Sequence, residues 1–354
     1  MRFWTILLLL LLGAARPLLA AESVINQQVI FTSSDGVQLA GTLTLPAEPG
    51  TKIPAAIFLQ GSGPTDRDGN QPPNIRTDLM RQIAEALAQH GIASLRYDKR
   101  GMYANAASLP ANTADYAAFF GWNHFIDDAY AGYEFLRKQP AIDPNRMALL
   151  GHSEGGLLAL DLASRLRGED APHALVLIST PGRRMDAVLR DQIERALKQQ
   201  KATQHQRRFY LAANDRIVKA IRDTGKVPDD VPTGLAAFYP SYIGPFWQAV
   251  MRLDPLRLAR NFNGPVLLLQ GEADRQISTE KDALALDQAL QQRPDDDHAL
   301  ITLPQTSHNL KPLRGEEDAG LEGELDPELL RRLENWLLSK LPPDEPSTAA
   351  VGAR

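Results

Sequence analysis

Short runs of apolar residues alternate along this chain with stretches in which apolar positions recur at helical spacing. The apolar runs have the length of strands buried on both faces and cover residues 53–59, 92–97, 147–150, 174–178, 266–270 and 299–303. The stretches with helical spacing cover residues 77–90, 125–136, 157–166, 280–290 and 327–341. This alternation of strand and helix predicts an α/β protein with a doubly wound, mostly parallel sheet.

Two regions depart from the alternation. Residues 28–32 and 37–45 are joined around Asp35-Gly36, which predicts a hairpin before the parallel part of the sheet. Residues 183–263 show helical patterning without strand runs, which predicts a helical cap inserted over the carboxyl edge of the sheet. We therefore expect a sheet domain in two parts, residues 22–182 and 264–341, followed by a flexible tail at residues 342–354.

The two halves of the predicted cap differ in composition. Between Arg183 and Lys226 there are twelve basic and five acidic residues, a local net charge of +7. These charges could attract anionic substrates, but solvated helix faces more often explain such a surplus. The second half is aromatic, and its rings could line a pocket or pack against the rim of the sheet. The aromatic residues are Phe238, Tyr239, Tyr242, Phe246 and Trp247.

The first residues have the pattern of a cleaved signal peptide. Arg2 precedes an apolar run at residues 6–12, Arg16 ends the run, and Leu-Ala-Ala at residues 19–21 offers a cleavage site. The run is shorter than the roughly 20 apolar residues of a membrane-spanning helix. We therefore predict that residues 1–21 are removed on export, and that the mature protein is extracytoplasmic, periplasmic or secreted, without an integral membrane span.

Composition narrows the class of protein further. The 354 residues are 44% apolar and include no cysteine, which excludes a disordered chain, a disulfide scaffold and a thiolate metal site. A covalent nucleophile would therefore be an oxygen or a lysine nitrogen. The net charge is −5, or −7 after loss of Arg2 and Arg16, and such a mildly acidic protein is not expected to bind nucleic acid.

The most specific motif is Gly151-His152-Ser153-Glu154-Gly155, which directly follows an apolar strand run and directly precedes a helical stretch. In this setting, G-x-S-x-G forms a sharp turn that exposes the serine hydroxyl. Side chains in place of the two glycines would collide with neighbouring backbone. We therefore predict that Ser153 is a nucleophile held in a strained conformation.

A serine nucleophile needs a base within about 3 Å and a third group that orients the base. Of the seven histidines, His308 lies in a loop just after the last predicted strand, where an imidazole could reach the carboxyl edge of the sheet. His152 is assigned a structural role. The orienting acid should follow the preceding strand, where Asp274 is preferred over Glu272 because it lies deeper in the turn. The predicted chain order is Ser153, Asp274, His308.

Acyl transfer also needs two backbone N–H groups that stabilise the developing oxyanion. The N–H of Glu154, at the start of a helix, is one candidate. The loop after the strand run at residues 53–59 reads Gln-Gly-Ser-Gly-Pro, and its glycines allow the backbone to approach a substrate closely. The N–H of Ser62 is the preferred second donor, and that of Gly63 is the alternative.

With these motifs, the whole mature chain resembles the α/β-hydrolase superfamily, and in particular secreted bacterial serine esterases. The resemblance includes the loop at residues 61–69 (Gly-Ser-Gly-Pro-Thr-Asp-Arg-Asp-Gly) and Tyr-Asp-Lys-Arg-Gly at residues 97–101, which is similar to the D-x-R-G of that superfamily. It implies an α/β-hydrolase fold that hydrolyses small-molecule carboxylic esters through an acyl-enzyme, without a cofactor or metal. Two features depart from the pattern: Met102-Tyr103, where many relatives carry a small residue and glycine, and Glu154 beside the nucleophile.

Other interpretations remain open at this stage. The same residues could serve a serine peptidase or an acyl thioesterase, or the chain could be an inactive hydrolase fold that acts as a binding module. Asp-Arg-Asp-Gly-Asn at residues 66–70 superficially suggests a calcium loop, but Gln71 and Thr77 stand where an EF-hand requires glycine and glutamate. We interpret residues 66–70 as a hydrogen-bonded loop near the site.

Overall fold

The computed structural model describes residues 24–50, 52–295, 297–315 and 317–342. The predicted signal peptide and nearly all of the predicted tail lie outside the described residues. Within them, eight strands form one sheet. The strands are β1 (Val24–Thr32), β2 (Gln38–Pro46), β3 (Ile53–Leu59), β4 (Ala93–Tyr97), β5 (Ile142–His152), β6 (Ala174–Ile178), β7 (Val266–Gly271) and β8 (His298–Leu303).

The strand order across the sheet is β1-β2-β4-β3-β5-β6-β7-β8. β1 and β2 form the predicted antiparallel hairpin, and β2 also pairs antiparallel with β4. Every later pairing, from β4–β3 to β7–β8, is parallel. The predicted doubly wound, mostly parallel sheet is thus confirmed, and its parallel strands direct their carboxyl ends to one edge.

Helices cover both faces of the sheet because alternate strand residues point to opposite sides. Ile57 and Leu59 of β3 belong to one apolar core, whereas Ala56 and Phe58 belong to the other. The first core includes α3 (Trp122–Arg137), α4 (Glu154–Arg165) and α9 (Leu284–Leu290), and the second includes α1 (Leu79–Gln89) and α10 (Pro327–Lys340). A short α2 (Tyr116–Phe119) precedes α3.

Between β6 and β7, in a stretch that the structure describes throughout, the chain forms helices and connecting turns. The α-helices are α5 (Met185–Gln199), α6 (Gln204–Thr224), α7 (Gly244–Val250) and α8 (Pro255–Arg260). We call residues 183–263 the cap segment. It packs on the sheet domain through the ring of Phe246, whose centroid lies 5.6 Å from that of Trp122 and 5.9 Å from that of Phe125. In the described part of the chain, no helix combines the length and apolarity needed to span a membrane.

Among the elements that differ in extent from their predictions are β5 and the helix at residues 280–290. β5 begins at Ile142 rather than at residue 147, because Ile142 pairs with Ile53 although polar residues follow it. The predicted helix at residues 280–290 is divided into a π-helical turn, Thr279–Ala283, and the regular helix α9. The wider turn contains Asp282, a fully buried carboxylate that accepts hydrogen bonds from the backbone of Gly182 and Arg183.

Candidate active site

Five loops at the carboxyl edge of the sheet contain the candidate functional residues. Since parallel strands end at the same edge, residues far apart in sequence come together there. The loop after β3 carries Ser62, the loop after β4 carries Lys99, and Ser153 directly follows β5. Asp274 follows β7, and His308 follows β8. Each predicted site residue therefore lies just beyond the end of a strand.

Ser153 lies in a sharp turn between β5 and α4, with φ 55° and ψ −121°, a region that non-glycine residues rarely occupy. The turn tolerates no side chain at its two flanking glycines. A Cβ on Gly151 would lie 2.2 Å from the carbonyl oxygen of Gly155, and a Cβ on Gly155 would lie 2.0 Å from that of Leu59. Both the predicted strain and the predicted collisions are confirmed.

Asp274 and His308 form a buried hydrogen-bonded pair. The Nδ1 of His308 donates to the Oδ2 of Asp274 across 2.7 Å. Burial by itself raises the pKa of Asp274, but the imidazole of His308 and the backbone N–H groups of Gln276 and Ile277 outweigh it and hold the pKa below its usual value. An ionised Asp274 therefore fixes the His308 tautomer in which Nε2 is unprotonated. Glu272, the alternative acid, is exposed.

His152, the last residue of β5, contacts the loop that carries His308. Its Nε2 lies 3.0 Å from the backbone oxygen of His308, and the two ring centroids are 4.7 Å apart. Because a carbonyl oxygen only accepts, His152 Nε2 carries the proton. Burial, together with the nearby His308, lowers the pKa of His152 to about 3, so its ring stays neutral at physiological pH. This contact gives a physical basis for the structural role predicted for His152.

The candidate oxyanion donors lie on two sides of the nucleophile. Ser62, Gly63, Ser153 and Glu154 all line one cavity. The backbone at Gly61 passes close to the elbow, where an added Cβ would lie 3.4 Å from the Cβ of Ser153. The loop is also held by Gln71, another lining residue, whose side-chain amide donates to the oxygen of Ser62 across 3.0 Å.

The cavity in front of Ser153 has a volume of about 510 Å³ and is enclosed by both the sheet domain and the cap segment. Its walls are mostly apolar. The larger apolar lining residues are Met102, Phe120, Phe125, Met185, Leu189, Phe238, Tyr242, Ile243, Phe246, Trp247 and Ile277. Four of the five cap aromatics thus line the cavity, whereas Tyr239 is buried and donates its hydroxyl to Asn214 across 2.6 Å.

A buried ion pair beside Ser153 was not foreseen from the sequence. Lys99 Nζ lies 3.5 Å from Oε1 of Glu154, and both side chains line the cavity. Lys99 also donates to the backbone oxygens of Gly61, across 2.6 Å, and Gly63, across 3.2 Å. Burial lowers the pKa of Lys99 and raises that of Glu154, while their mutual attraction opposes both shifts. In the sequence, the one indication of this ion pair was Glu154, an unusual residue directly after the predicted nucleophile.

The neighbouring loops are fixed by further polar contacts. Tyr103, at the position that departs from the family pattern, has φ 48° and donates its hydroxyl to the oxygen of Pro64. Asp66 accepts from the backbone N–H groups of Asp68 and Asn70, as expected of a hydrogen-bonded loop. Among the described residues, no group of three or more acidic or histidine side chains is arranged to hold a metal ion.

Several basic residues in the first half of the cap segment pair with acidic neighbours. Arg190 pairs with Asp215 at 3.0 Å, and Arg183 pairs with both Asp191, at 2.6 Å, and the buried Asp282, at 2.8 Å. Further pairs are Lys198–Glu194, Arg216–Asp230, Lys219–Asp223 and Arg222–Asp186. These contacts favour the interpretation of the charges as helix surface rather than as a field for anionic substrates.

Comparison with known proteins agrees with this geometry. The structure is similar to an esterase of Pyrococcus furiosus, with a TM-score of 0.56 at 18% identity over 94% of this chain and 97% of that one. It is also similar to Est1E from Butyrivibrio proteoclasticus, with a TM-score of 0.54 at 16% identity over 89% and 99% of the two chains. In sequence, it is 29% identical to Esterase EstD of Thermotoga maritima over 248 residues, 69% of this chain and 52% of that protein.

The sheet order and the serine elbow define an α/β hydrolase, as the resemblance in sequence predicts. Residues 76–311, more than half of the chain, match the family described as serine aminopeptidase, S33, and the chain belongs to that family. It is also 28% identical over 142 residues to the thiohydrolase aneE of Aspergillus aculeatus, which covers 40% of this chain and 38% of that protein. The chain spans about half the length or less of the sequence relatives that it matches.

Proposed function

We propose that the protein is a serine hydrolase that cleaves carboxylic esters, with Ser153 as its nucleophile. The observation that carries the proposal is the position of Ser153, strained and lining an apolar cavity, at the same edge of the sheet as a buried Asp274–His308 pair. Membership of a serine hydrolase family and the names of its esterase relatives support the reaction class.

In the proposed mechanism, Nε2 of His308 takes the hydroxyl proton of Ser153 while the serine oxygen attacks the ester carbonyl carbon. The resulting oxyanion accepts hydrogen bonds from the N–H groups of Ser62 and Glu154. His308 then gives its proton to the departing alcohol, which leaves an acyl-enzyme. Water, deprotonated by His308, attacks the acyl carbon. As the tetrahedral intermediate collapses, His308 returns the proton to the Ser153 oxygen and the acid is released. Asp274 stabilises the imidazolium that forms in each half-reaction.

The lining of the cavity favours a neutral ester over a peptide with a free amino terminus. An aminopeptidase needs an anionic or strongly accepting group for the substrate ammonium. Of the described residues that line the cavity, Glu154 alone carries a carboxylate, and this carboxylate is paired with Lys99. The apolar walls instead match an uncharged acyl or alcohol group. A thioester would suit the same walls, and it is retained as the second candidate because of the thiohydrolase relative.

The test is to assay purified protein against p-nitrophenyl esters of increasing chain length, the matching acyl thioesters and aminoacyl p-nitroanilides. We expect ester hydrolysis to dominate, and Ser153→Ala to reduce kcat by roughly 10⁴-fold or more. Ser153→Ala should also abolish labelling by a fluorophosphonate without lowering the melting temperature. The control is Ser164→Ala, a matched change on α4, where the hydroxyl donates to the backbone oxygen of Asp161 across 2.7 Å. Undiminished hydrolysis by Ser153→Ala would refute the proposal.

We also propose that the protein acts outside the cytoplasm after export through residues 1–21. The basic and apolar pattern of those residues is the support for this localisation. N-terminal sequencing of the protein recovered after bacterial export should start at Glu22, and recovery of the uncleaved chain in the cytoplasm would contradict it.

A further inference from the structure

Lys99 occupies a position that the hydrolytic mechanism does not use. Its ammonium group is buried and has four close partners: the oxygens of Gly61 and Gly63, the carboxylate of Glu154, and the ring of Phe125, whose centroid lies 5.7 Å away. A buried ion pair is weak evidence for a stabilising role, because desolvation of both charges offsets most of their attraction. The location of this pair therefore calls for another explanation.

The contact with Gly61 fixes the direction of a catalytic N–H group. In a trans peptide unit, the C=O and N–H bonds point in opposite directions. The oxygen of Gly61 and the N–H of Ser62 belong to the same peptide unit. When Lys99 holds that oxygen at 2.6 Å, the N–H of Ser62 is turned to the opposite side, away from the ammonium. The second contact, to the oxygen of Gly63, restrains the next peptide units of the loop.

The contact with Glu154 reaches the other half of the proposed oxyanion hole. Glu154 supplies the second N–H donor from its backbone, and its side chain is the counterion of Lys99. One ammonium group is therefore bonded to the loop that carries the first donor and to the residue that carries the second. The pair therefore connects the loop after β3 to the first residue of α4.

We propose that Lys99 is a positioning residue that aligns the two oxyanion donors, with Glu154 as the anchor that directs its ammonium group toward the loop. This inference rests on the function proposed above. It also accounts for the acid after the nucleophile, one of the two features that depart from the family pattern, as the partner of Lys99.

The test compares Lys99→Met with the double variant Lys99→Met/Glu154→Gln. Lys99→Met removes the donor and leaves a buried carboxylate without its partner, so both stability and activity should fall. The double variant also removes that carboxylate charge, so we expect its melting temperature to return close to that of the wild type. If Lys99 positions the donors, kcat for a p-nitrophenyl ester remains roughly 10²-fold below wild type in both variants, while KM changes by less than about threefold.

Lys340→Met provides the matched control, because Lys340 pairs with Asp297, which precedes β8 and so lies at the edge of the sheet opposite the site. We expect it to keep kcat within about tenfold of wild type. The rate of fluorophosphonate labelling should fall in Lys99→Met in parallel with kcat, whereas the final stoichiometry should remain one label per chain.

Recovery of kcat together with stability in the double variant would overturn the inference, since it would show that Lys99 serves only to neutralise Glu154. A parallel loss of kcat and gain in KM, with no change in labelling rate, would also overturn it. The wild-type protein separates this failure from that of the proposed function: if wild-type protein neither hydrolyses esters nor reacts with the fluorophosphonate, the function itself is wrong.

Discussion

The sheet edge and the cap segment use charged side chains in opposite ways. At the sheet edge, the ion pairs Lys99–Glu154 and Arg100–Asp128 are buried and have defined partners. In the cap segment, charges are numerous, and many of their pairs lie in solvent; in Arg190–Asp215 the two side chains are 43% and 51% exposed. The two regions therefore differ in the burial of their ion pairs, and a buried pair is more sensitive to substitution than an exposed one.

The difference follows from solvation. An exposed ion pair exchanges good hydration for a modest attraction, so its net contribution is typically below about 1 kcal/mol. Loss of one partner from a buried pair is strongly destabilising, because it leaves an uncompensated charge in a low-dielectric site. We therefore expect substitutions at the sheet edge to have large and specific effects, and those in the cap segment to have small and general ones.

The largest effect is expected from the backbone of the elbow. Gly155→Ala places a Cβ 2.0 Å from the carbonyl oxygen of Leu59, and both atoms belong to packed backbone that cannot yield. We expect a loss of more than about 4 kcal/mol in the free energy of unfolding, or failure to fold, measured by urea denaturation of soluble protein.

Gly50→Ala is the matched control for that change, since its Cβ would lie at an ordinary 3.6 Å from Ile53. It should change stability little. If Gly155→Ala is as stable as this control, the turn can relax to accommodate a Cβ. The sheet edge would then tolerate substitution as well as a surface loop does.

The next largest effect is expected at Arg100, the neighbour of Lys99. Its guanidinium is fully buried and holds Asp128 at 2.6 Å, while Asp128 is 1% exposed. Arg100→Met leaves this buried carboxylate without its guanidinium partner. We expect the free energy of unfolding, measured by chemical denaturation, to fall by about 3–5 kcal/mol. Arg100→Met/Asp128→Leu should recover much of that loss. A double variant less stable than the single one would contradict the explanation that the single variant loses stability because the carboxylate of Asp128 is left unpaired.

The smallest effect is expected in the cap segment. Arg190→Gln breaks the exposed pair with Asp215, whose Oδ1 lies 3.0 Å from Nε. We expect less than about 1 kcal/mol of change in unfolding free energy, and a still smaller difference at 1 M NaCl because salt screens the pair. Ester hydrolysis should remain within about twofold of wild type. A loss comparable to that of Arg100→Met would contradict the contrast between the two regions.

Much of this architecture could be predicted from sequence because the signals are local. Continuous apolar runs marked β3 and β6 at their observed bounds, and the glycines around Ser153 identified the elbow. The placement of Asp274 and His308 followed from chain order alone, since each comes just after a strand of the same parallel sheet. The role of these residues in catalysis remains part of the proposal.

What could not be predicted depends on contacts between distant segments. Nothing local shows that the ammonium of Lys99, after β4, reaches the loop after β3, or that His152 reaches the backbone of His308. The start of β5 could not be predicted because polar residues follow Ile142. This segment is identified as strand only by the pairing of Ile142 with Ile53. The π-helical turn before α9 likewise depends on Asp282 turning inward to bond residues 100 positions earlier.

The conformation of Ser153 has a consequence for protein engineering. A backbone with φ 55° and ψ −121° is accessible to glycine but strained for serine. The strain at Ser153 lowers the stability of the folded protein. Selection for heat resistance alone would favour loss of that side chain. Selection for more stable variants of this protein should therefore include an activity assay in every round, because replacement of Ser153 by glycine would relieve the strain and also remove the proposed nucleophile.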